Sequence, residues 1–330
     1  MSNTRLQELD LAKGLAILLV VWGHVVAGAH PRGDQWYLWS QQAVYLFHMP
    51  FFMFLSGTVA GYGYRPVAGL APWLAFVRGK MARLMPAYLL IGVLIVAGKL
   101  LASRVVYVDN IPSSLWGGIG DVLWQPDRSS SKSLWFIYVL FLFYVALHPL
   151  LALLGQRAAA LIALGLLLHW VPGPEWLMLN RFCQFFVFFA LGFGAGRHYE
   201  AVMARIDRHG RLALLLFGAA LSAVMVWQPD EGKLIVGMFS IPALMYLVRN
   251  CRPGRWTAPL LTAGRYSFVI YLLNTICIGV AKAIGFKIGS WDGAHFLLFA
   301  PALFLAGVLG PIWIKRHLLR RVPPLDRMTR

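Results

Sequence analysis

DLAKGLAILLVVWGHVV, residues 10–26, and YLFHMPFFMFLSG, residues 45–57, are almost wholly apolar, yet each carries a histidine, His24 in the first and His48 in the second. About 20 apolar residues suffice for a helix to cross a bilayer, and both stretches lie in runs of that length. An ionisable group in hydrocarbon is costly and is by default a functional candidate. Lys13 and His24 are eleven residues apart, which on a helix is about 1,100° of rotation and about 16 Å of rise, so they fall within about 20° of one another. One face of one helix is therefore expected to carry an ammonium low down and an imidazole higher up.

The rest of the chain agrees with a membrane setting. Of its 330 residues, 59% are hydrophobic and 13% charged, and the mean hydropathy is +0.66, which excludes a soluble globule. Ten apolar spans are expected, at 9–29, 36–62, 84–102, 134–154, 158–171, 182–196, 212–227, 234–248, 266–286 and 294–314, so the fold class is an all-α polytopic helical bundle.

The net charge of +17 raises the question of nucleic acid. With the N-terminus inside, the inner segments hold Arg5, Arg65, Arg78, Lys80, Arg83, Arg157, Arg197, Arg205, Arg208, Arg211, Arg249, Arg252, Arg255, Arg265 and the basic residues from Lys315 to Arg330. The outer loops hold only Arg32, Arg104, Arg128, Lys132, Arg181, Lys233 and Lys287. This is the positive-inside pattern with both termini cytoplasmic, and it leaves membrane lipid rather than nucleic acid as the partner of the charge. No small-residue cleavage site follows the first span, which contains Asp10 and Lys13, so it is expected to remain as a transmembrane helix. Cys183, Cys251 and Cys277 have neither disulfide-framework nor metal-site spacing. The outer loop NIPSSLWGGIGDVLWQPDRSSSKS, residues 110–133, has room for a short amphipathic helix at the interface. The glycines at 192, 194 and 196 lie inside a span and suit close helix approach rather than a phosphate loop. Residues 1–314 read as one membrane domain and 315–330 as a basic cytoplasmic tail.

Five blocks in order, DLAKGLAILLVVWGH, FHMPFFMFLSG (47–57), RGKMARLMPAY (78–88), SLWFIYVLFLFY (133–144) and AGRYSFVIYLLN (263–274), resemble the acyltransferase-3 family of integral membrane acyltransferases, and most resemble its branch of fucose 4-O-acetylase-like sugar acetyltransferases. The resemblance implies an enzyme of the bacterial inner membrane. Such an enzyme takes an acetyl or other short acyl group from cytoplasmic acyl-CoA, bound as a co-substrate with no permanent cofactor, and passes it to a hydroxyl of a glycan or lipid-linked saccharide. The family's first-helix motif pairs an arginine with the histidine, and here lysine stands at 13. Lysine keeps the charge but cannot make the flat bidentate contact of a guanidinium. Many relatives carry histidine where this chain has Asn274, which can hydrogen-bond an acceptor but cannot shuttle protons.

Acyl transfer from a thioester to a hydroxyl needs a base, oxyanion donors and a polar place for the charged donor. His24 is the candidate base, since a neutral imidazole is the form that accepts a proton, and an acyl-histidine route is chemically open as well. His48 precedes Pro50, whose ring frees the carbonyl of Leu46 and bends the helix beside the imidazole. Asp10 pairs with or orients Lys13, which faces the donor. Arg78, Lys80 and Arg83 lie on the cytoplasmic side, where clustered cations suit the phosphates of acyl-CoA and equally suit membrane anchoring. Ser267 and Tyr271 share a helix face and, with Asn274, are candidates for binding the acceptor. Trp135, at an outer interface, offers a ring on which a sugar can stack. A glycolipid or small-molecule transporter or flippase is the alternative, although coupled transporters usually carry intramembrane carboxylates that these spans lack apart from Asp10.

Overall fold

The computed structural model describes residues 3–26, 31–105, 108–251, 254 and 257–329. Among them are thirteen α-helices and no strand: α1 Asn3–Gly23, α2 Gln35–Tyr62, α3 Leu70–Ala102, α4 Leu115–Trp124, α5 Trp135–Leu153, α6 Ala158–His169, α7 Leu179–Arg197, α8 Tyr199–Trp227, α9 Gly232–Arg249, α10 Thr257–Arg265, α11 Ser267–Ile288, α12 Phe296–His317 and α13 Pro323–Met328. The expected spans correspond in order to α1–α3, α5–α9, α11 and α12. Eight of these helices are long and apolar enough to cross a membrane. Of the other two, α1 carries Glu8, Asp10 and Lys13 in its first half, and α6, with 12 residues, is only about 18 Å long. The interfacial helix expected in the outer loop is α4, whose first turn is capped by Ser114 Oγ accepting from the Gly117 N–H at 3.0 Å.

The boundaries differ in three places. The helix α1 stops at Gly23, short of the expected end at position 29, which lies outside the described residues, as do Arg252, Arg255, Arg330 and the side chain of Arg5. The helices α3 and α8 start at Leu70 and Tyr199, well before 84 and 212. Hydropathy hides these extensions because Arg78, Lys80 and Arg83, or Arg205, Asp207, Arg208 and Arg211, make them polar. Pro72 falls in the first turn of α3, where its missing N–H costs no intrahelical bond, and the single glycines at 79 and 210 do not interrupt their helices, so each helix continues out of the hydrocarbon into the aqueous interface.

Glycine governs the tightest packing. The helices α2 and α7 cross so closely that a Cβ at Gly57 or Gly61 would overlap the carbonyls of Phe189 or Phe193, and one at Gly192 or Gly196 would overlap those of Phe54 or Thr58. Each helix thus presents two glycines four residues apart to the backbone of the other, the small-residue packing that membrane helices use where apolar burial gives no driving force. Around this seam Phe185, Phe186, Phe188, Phe189 and Phe193 are buried. The outer part of α8, with Leu215, Val226 and Trp227 exposed, faces where lipid would be.

Contacts at one end of the bundle bring several of its basic residues together. Glu8 on α1 is ion-paired with Arg249 at the end of α9, which also reaches Asp207 on α8 at 2.8 Å. The Tyr199 hydroxyl donates to Glu8 at 2.9 Å. Tyr266, between α10 and α11, meets Arg316 in the last turn of α12. The start of α1 and the end of α12 therefore share the basic side, which the charge rule makes cytoplasmic. Lys315, at the start of the stretch expected as a tail, belongs to α12, is 5% exposed and is bonded to Asp326 and Thr329. The last residues accordingly fold back under the bundle.

Candidate functional site

The site is built where α1 ends. A helix terminus leaves its last carbonyls without intrahelical partners, and here α2 supplies them. The Tyr37 hydroxyl donates to the Trp22 carbonyl at 2.7 Å. Gln41 Nε2 donates to the Gly23 carbonyl at 2.7 Å and to that of Val26 at 3.2 Å. The Tyr45 hydroxyl donates to the Gly23 carbonyl at 2.7 Å. Tyr37, Gln41 and Tyr45 recur every four residues and so lie on one face of α2. Gly23 is required by the close approach, since a Cβ there would strike the Tyr45 ring. The chain tightens at this point, with the His24 N–H bonded to the Val21 carbonyl at 3.0 Å, and the imidazole turns toward α11.

There His24 Nδ1 lies 2.8 Å from Asn274 Oδ1. The amide cannot point the other way, because Asn274 Nδ2 donates to the carbonyls of Ile270 at 2.9 Å and Tyr271 at 2.7 Å. An oxygen in that place would face two acceptors. The amide oxygen therefore faces His24, so Nδ1 must carry the ring proton and Nε2 keeps its lone pair. The tautomer of the proposed base is thus fixed by two backbone carbonyls acting through one amide.

His48 stands beside this pair. Its Nδ1 donates to the Val44 carbonyl at 2.7 Å, which leaves its Nε2 also unprotonated. Its ring lies 5.2 Å from that of Tyr45, whose hydroxyl holds the Gly23 carbonyl next to His24. Pro50 sits two residues, about half a turn, further along the same uninterrupted helix.

The remaining sequence candidates are placed elsewhere. Lys13 and Asp10 pair with each other at 3.6 Å, about 16 Å below His24 by helical rise. At this level α10 crosses α1, and Gly264 leaves no room for a Cβ against the Asp10 carbonyl. Arg78 and Arg83 are exposed on the cytoplasmic extension of α3, and Lys80 Nζ lies 4.0 Å from the ring centre of Tyr144. Close by, His148 is buried with Nδ1 unpartnered and stacked 5.2 Å from Tyr64. Ser267 opens α11 at the basic end. The Tyr271 hydroxyl is occupied structurally, donating to the Ser133 carbonyl at 2.6 Å and accepting from the Phe136 N–H at 3.1 Å. It therefore caps the start of α5. Trp135 packs 5.0 Å from Phe185, with the Arg181 guanidinium 5.3 Å from its ring centre. The structure thus gathers His24, Asn274 and His48, and leaves Lys13, Asp10 and the α3 cations on the basic side.

The profile of an acyltransferase domain matches residues 6–316, nearly the whole chain. The chain belongs to the acyltransferase-3 family. No curated protein and no solved structure gives a match. This acyltransferase is a multi-pass membrane protein, and the matched region runs from the cytoplasmic end of α1 to the last turn of α12. Sequence reasoning passed over Tyr37, Gln41 and Tyr45, although their four-residue recurrence in YLWSQQAVY is a legible polar stripe on an otherwise apolar helix.

Proposed function

We propose that this acyltransferase transfers an acetyl or other short acyl group from cytoplasmic acyl-CoA to a hydroxyl of a glycan or lipid-linked saccharide in the bacterial inner membrane, with His24 as general base. The observation that carries the proposal is the Nδ1–Oδ1 contact of 2.8 Å between His24 and Asn274, with the amide held by the Ile270 and Tyr271 carbonyls. It leaves Nε2 of His24 as the proton acceptor that hydroxyl activation requires.

The acceptor hydroxyl loses its proton to His24 Nε2 as its oxygen attacks the thioester carbonyl. The C–O bond forms and the carbonyl oxygen takes the electron pair. Collapse of this intermediate breaks the C–S bond, and the departing thiolate recovers the proton from Nε2, so His24 ends neutral. While the ring is cationic, Asn274 Oδ1 holds Nδ1–H, and the strengthening of that hydrogen bond favours the transition state over the ground state. Asn274 is in this reading a positioning residue rather than a contact for the acceptor. His48, whose Nδ1 is held by the Val44 carbonyl, offers a second unprotonated Nε2 and suits a role in orienting the attacking hydroxyl. Lys13, paired with Asp10, and the cations of α3 serve the charged part of the donor from the cytoplasmic side.

The test is transfer of radiolabel from acetyl-CoA into glycan and glycolipid fractions of membranes containing the wild-type chain or His24→Ala at matched levels. Label that appears only with intact His24 is the expected result. His24-independent transfer overturns the catalytic assignment. No transfer with any acyl-CoA in acceptor-rich membranes overturns the donor and acceptor assignment and favours the transporter reading.

A further inference from the structure

On the basic side, the end of α10, the start of α11 and the end of α12 border a half-open cavity of about 520 Å³ lined by Arg265, Tyr266, Lys315, Arg316, Arg320 and Thr329 among others. Its volume falls in the range of small-molecule sites. Lys315 is already neutralised: its ammonium lies 2.7 Å from Asp326 Oδ1 and 2.7 Å from Thr329 Oγ1. The three arginines are not. Among the described residues, none of the three has a carboxylate within ion-pair distance.

Two of them are drawn onto a single neutral oxygen. Arg316 Nε and Arg320 Nη2 donate to the Tyr266 hydroxyl at 3.3 and 3.1 Å, and the Arg316 guanidinium lies 5.3 Å from the centre of the same ring. Ordinary positive-inside anchoring requires basic residues near the interface but gives no reason for guanidiniums to converge on one wall of a cavity. Like charges held together repel, and an anion between them turns that repulsion into charge-assisted, geometrically matched hydrogen bonding.

We propose that this cavity binds a phosphate group, with Arg316 and Arg320 as its principal donors and Arg265 completing the positive wall. Two sources carry that chemistry on the cytoplasmic side: the nucleotide end of the acyl-CoA donor and the headgroup of an anionic phospholipid. As a donor site it rests on the function proposed above, and the geometry suits it. Tyr266 lies eight residues before Asn274, about 12 Å along α11, so phosphates held here leave the uncharged pantetheine arm to run up toward His24.

The experiment uses the purified full-length chain. Binding of adenosine 3′,5′-bisphosphate is measured in detergent for the wild type, the Arg316→Gln/Arg320→Gln variant, the Arg316→Lys/Arg320→Lys variant and an Arg104→Gln control on the outer side. In parallel, thermal stability is measured in phosphatidylcholine vesicles with and without phosphatidylglycerol, and acetyl transfer is followed as kcat and KM. If the nucleotide is the source, the glutamine variant binds the bisphosphate about tenfold or more weakly, the lysine variant falls between, and the KM for acetyl-CoA rises by a similar factor at unchanged kcat. Stabilisation by phosphatidylglycerol that is lost in the glutamine variant, without bisphosphate binding, assigns the same site to lipid. Dependence of neither ligand on Arg316 and Arg320 overturns the proposal, and unaltered His24-dependent transfer in that variant would leave the function standing. Arginine-dependent binding in a chain without His24-dependent transfer would leave the site and remove the function.

Discussion

Replacing Asn274 with leucine separates the contribution of the amide from that of the imidazole itself. Leucine has the same number of side-chain heavy atoms and the same branching but offers nothing to His24 Nδ1–H, whose bond to Oδ1 is 2.8 Å long. A neutral hydrogen bond of this kind contributes about 0.5–1.5 kcal/mol and one to a charged partner about 1.5–3 kcal/mol. The neutral figure applies before proton transfer and the charged one afterwards, so about 1–1.5 kcal/mol is specific to the transition state, or about tenfold in kcat. Without the amide the ring also visits the tautomer protonated on Nε2, which cannot accept the hydroxyl proton, and we expect kcat to fall about 10–100-fold in all, short of the 10²–10⁴-fold of a general base itself. The Ile270 and Tyr271 carbonyls keep their places in α11, so stability should fall by only about 1 kcal/mol. Steady-state kinetics of the purified enzyme, beside thermal unfolding, read both quantities. A positioning role predicts loss in kcat with KM for acetyl-CoA nearly unchanged, and added imidazole restoring part of the activity of His24→Ala but none of that of Asn274→Leu. Wild-type kcat in the leucine variant would refute the assignment.

Gln41→Leu removes the side chain that bonds the Gly23 and Val26 carbonyls. It should lower stability by about 1–2 kcal/mol and kcat several-fold through a displaced His24, and a variant with normal kinetics would show that the α2 stripe is dispensable to the site. Gly57→Ala places a Cβ on the Phe189 carbonyl and should cost about 1–3 kcal/mol or more, read as a lowered Tm in detergent, with an unchanged Tm contradicting the α2–α7 packing. Tyr266, which precedes α11 on the basic side, is held below the ordinary tyrosine value of 10.0, chiefly by the hydrogen bond from Arg316 and further by the charges of Arg320, Arg316 and Lys315. Because folding favours its ionised form, the resulting stabilisation is complete above the unfolded value near 10.0 and is lost as the pH falls through the folded one. An ultraviolet difference titration of the wild type against Tyr266→Phe should place the phenol below 10.0 and Arg316→Gln should raise it, whereas a wild-type midpoint at or above that value would refute the contact.

The bundle was legible in the sequence because hydrocarbon imposes a single length scale on every span. Where the chain leaves that environment the signal fails: the start of α3 at Leu70 is a helix of mixed polarity that no hydropathy window separates from a loop. The site was legible in part for a related reason. His24 and His48 stand out as ionisable residues in apolar runs, but their partners do not, since Asn274 lies 250 residues from His24 and only the fold brings α11 against the end of α1. Tyr271 illustrates the opposite case. It shares a face with Ser267 as the spacing requires, yet its hydroxyl is spent on the backbone at the start of α5, because a buried helix terminus needs partners as much as a substrate does.

The distance between Lys13 and His24 constrains the chemistry more than the identity of either residue. Lys13 lies on α1, which is helical from Asn3 to Gly23, and His24 follows its end directly, so the two backbone positions are about 16 Å apart along the axis, farther than a lysine side chain reaches, and the ammonium cannot contact the oxyanion of an intermediate formed beside Nε2. Charge on the basic side and proton transfer at His24 are therefore separate operations. Phosphates carried to the depth of His24 would have to shed their hydration among buried Ile17, Val20 and Val21, beyond the reach of the Lys13 ammonium. A donor whose anionic end stops at the cytoplasmic arginines and whose uncharged arm alone reaches His24 avoids that cost. On the proposed reading, the polarity gradient along α1 thus selects substrates built with a charged head, a neutral tether and a reactive carbonyl at the far end.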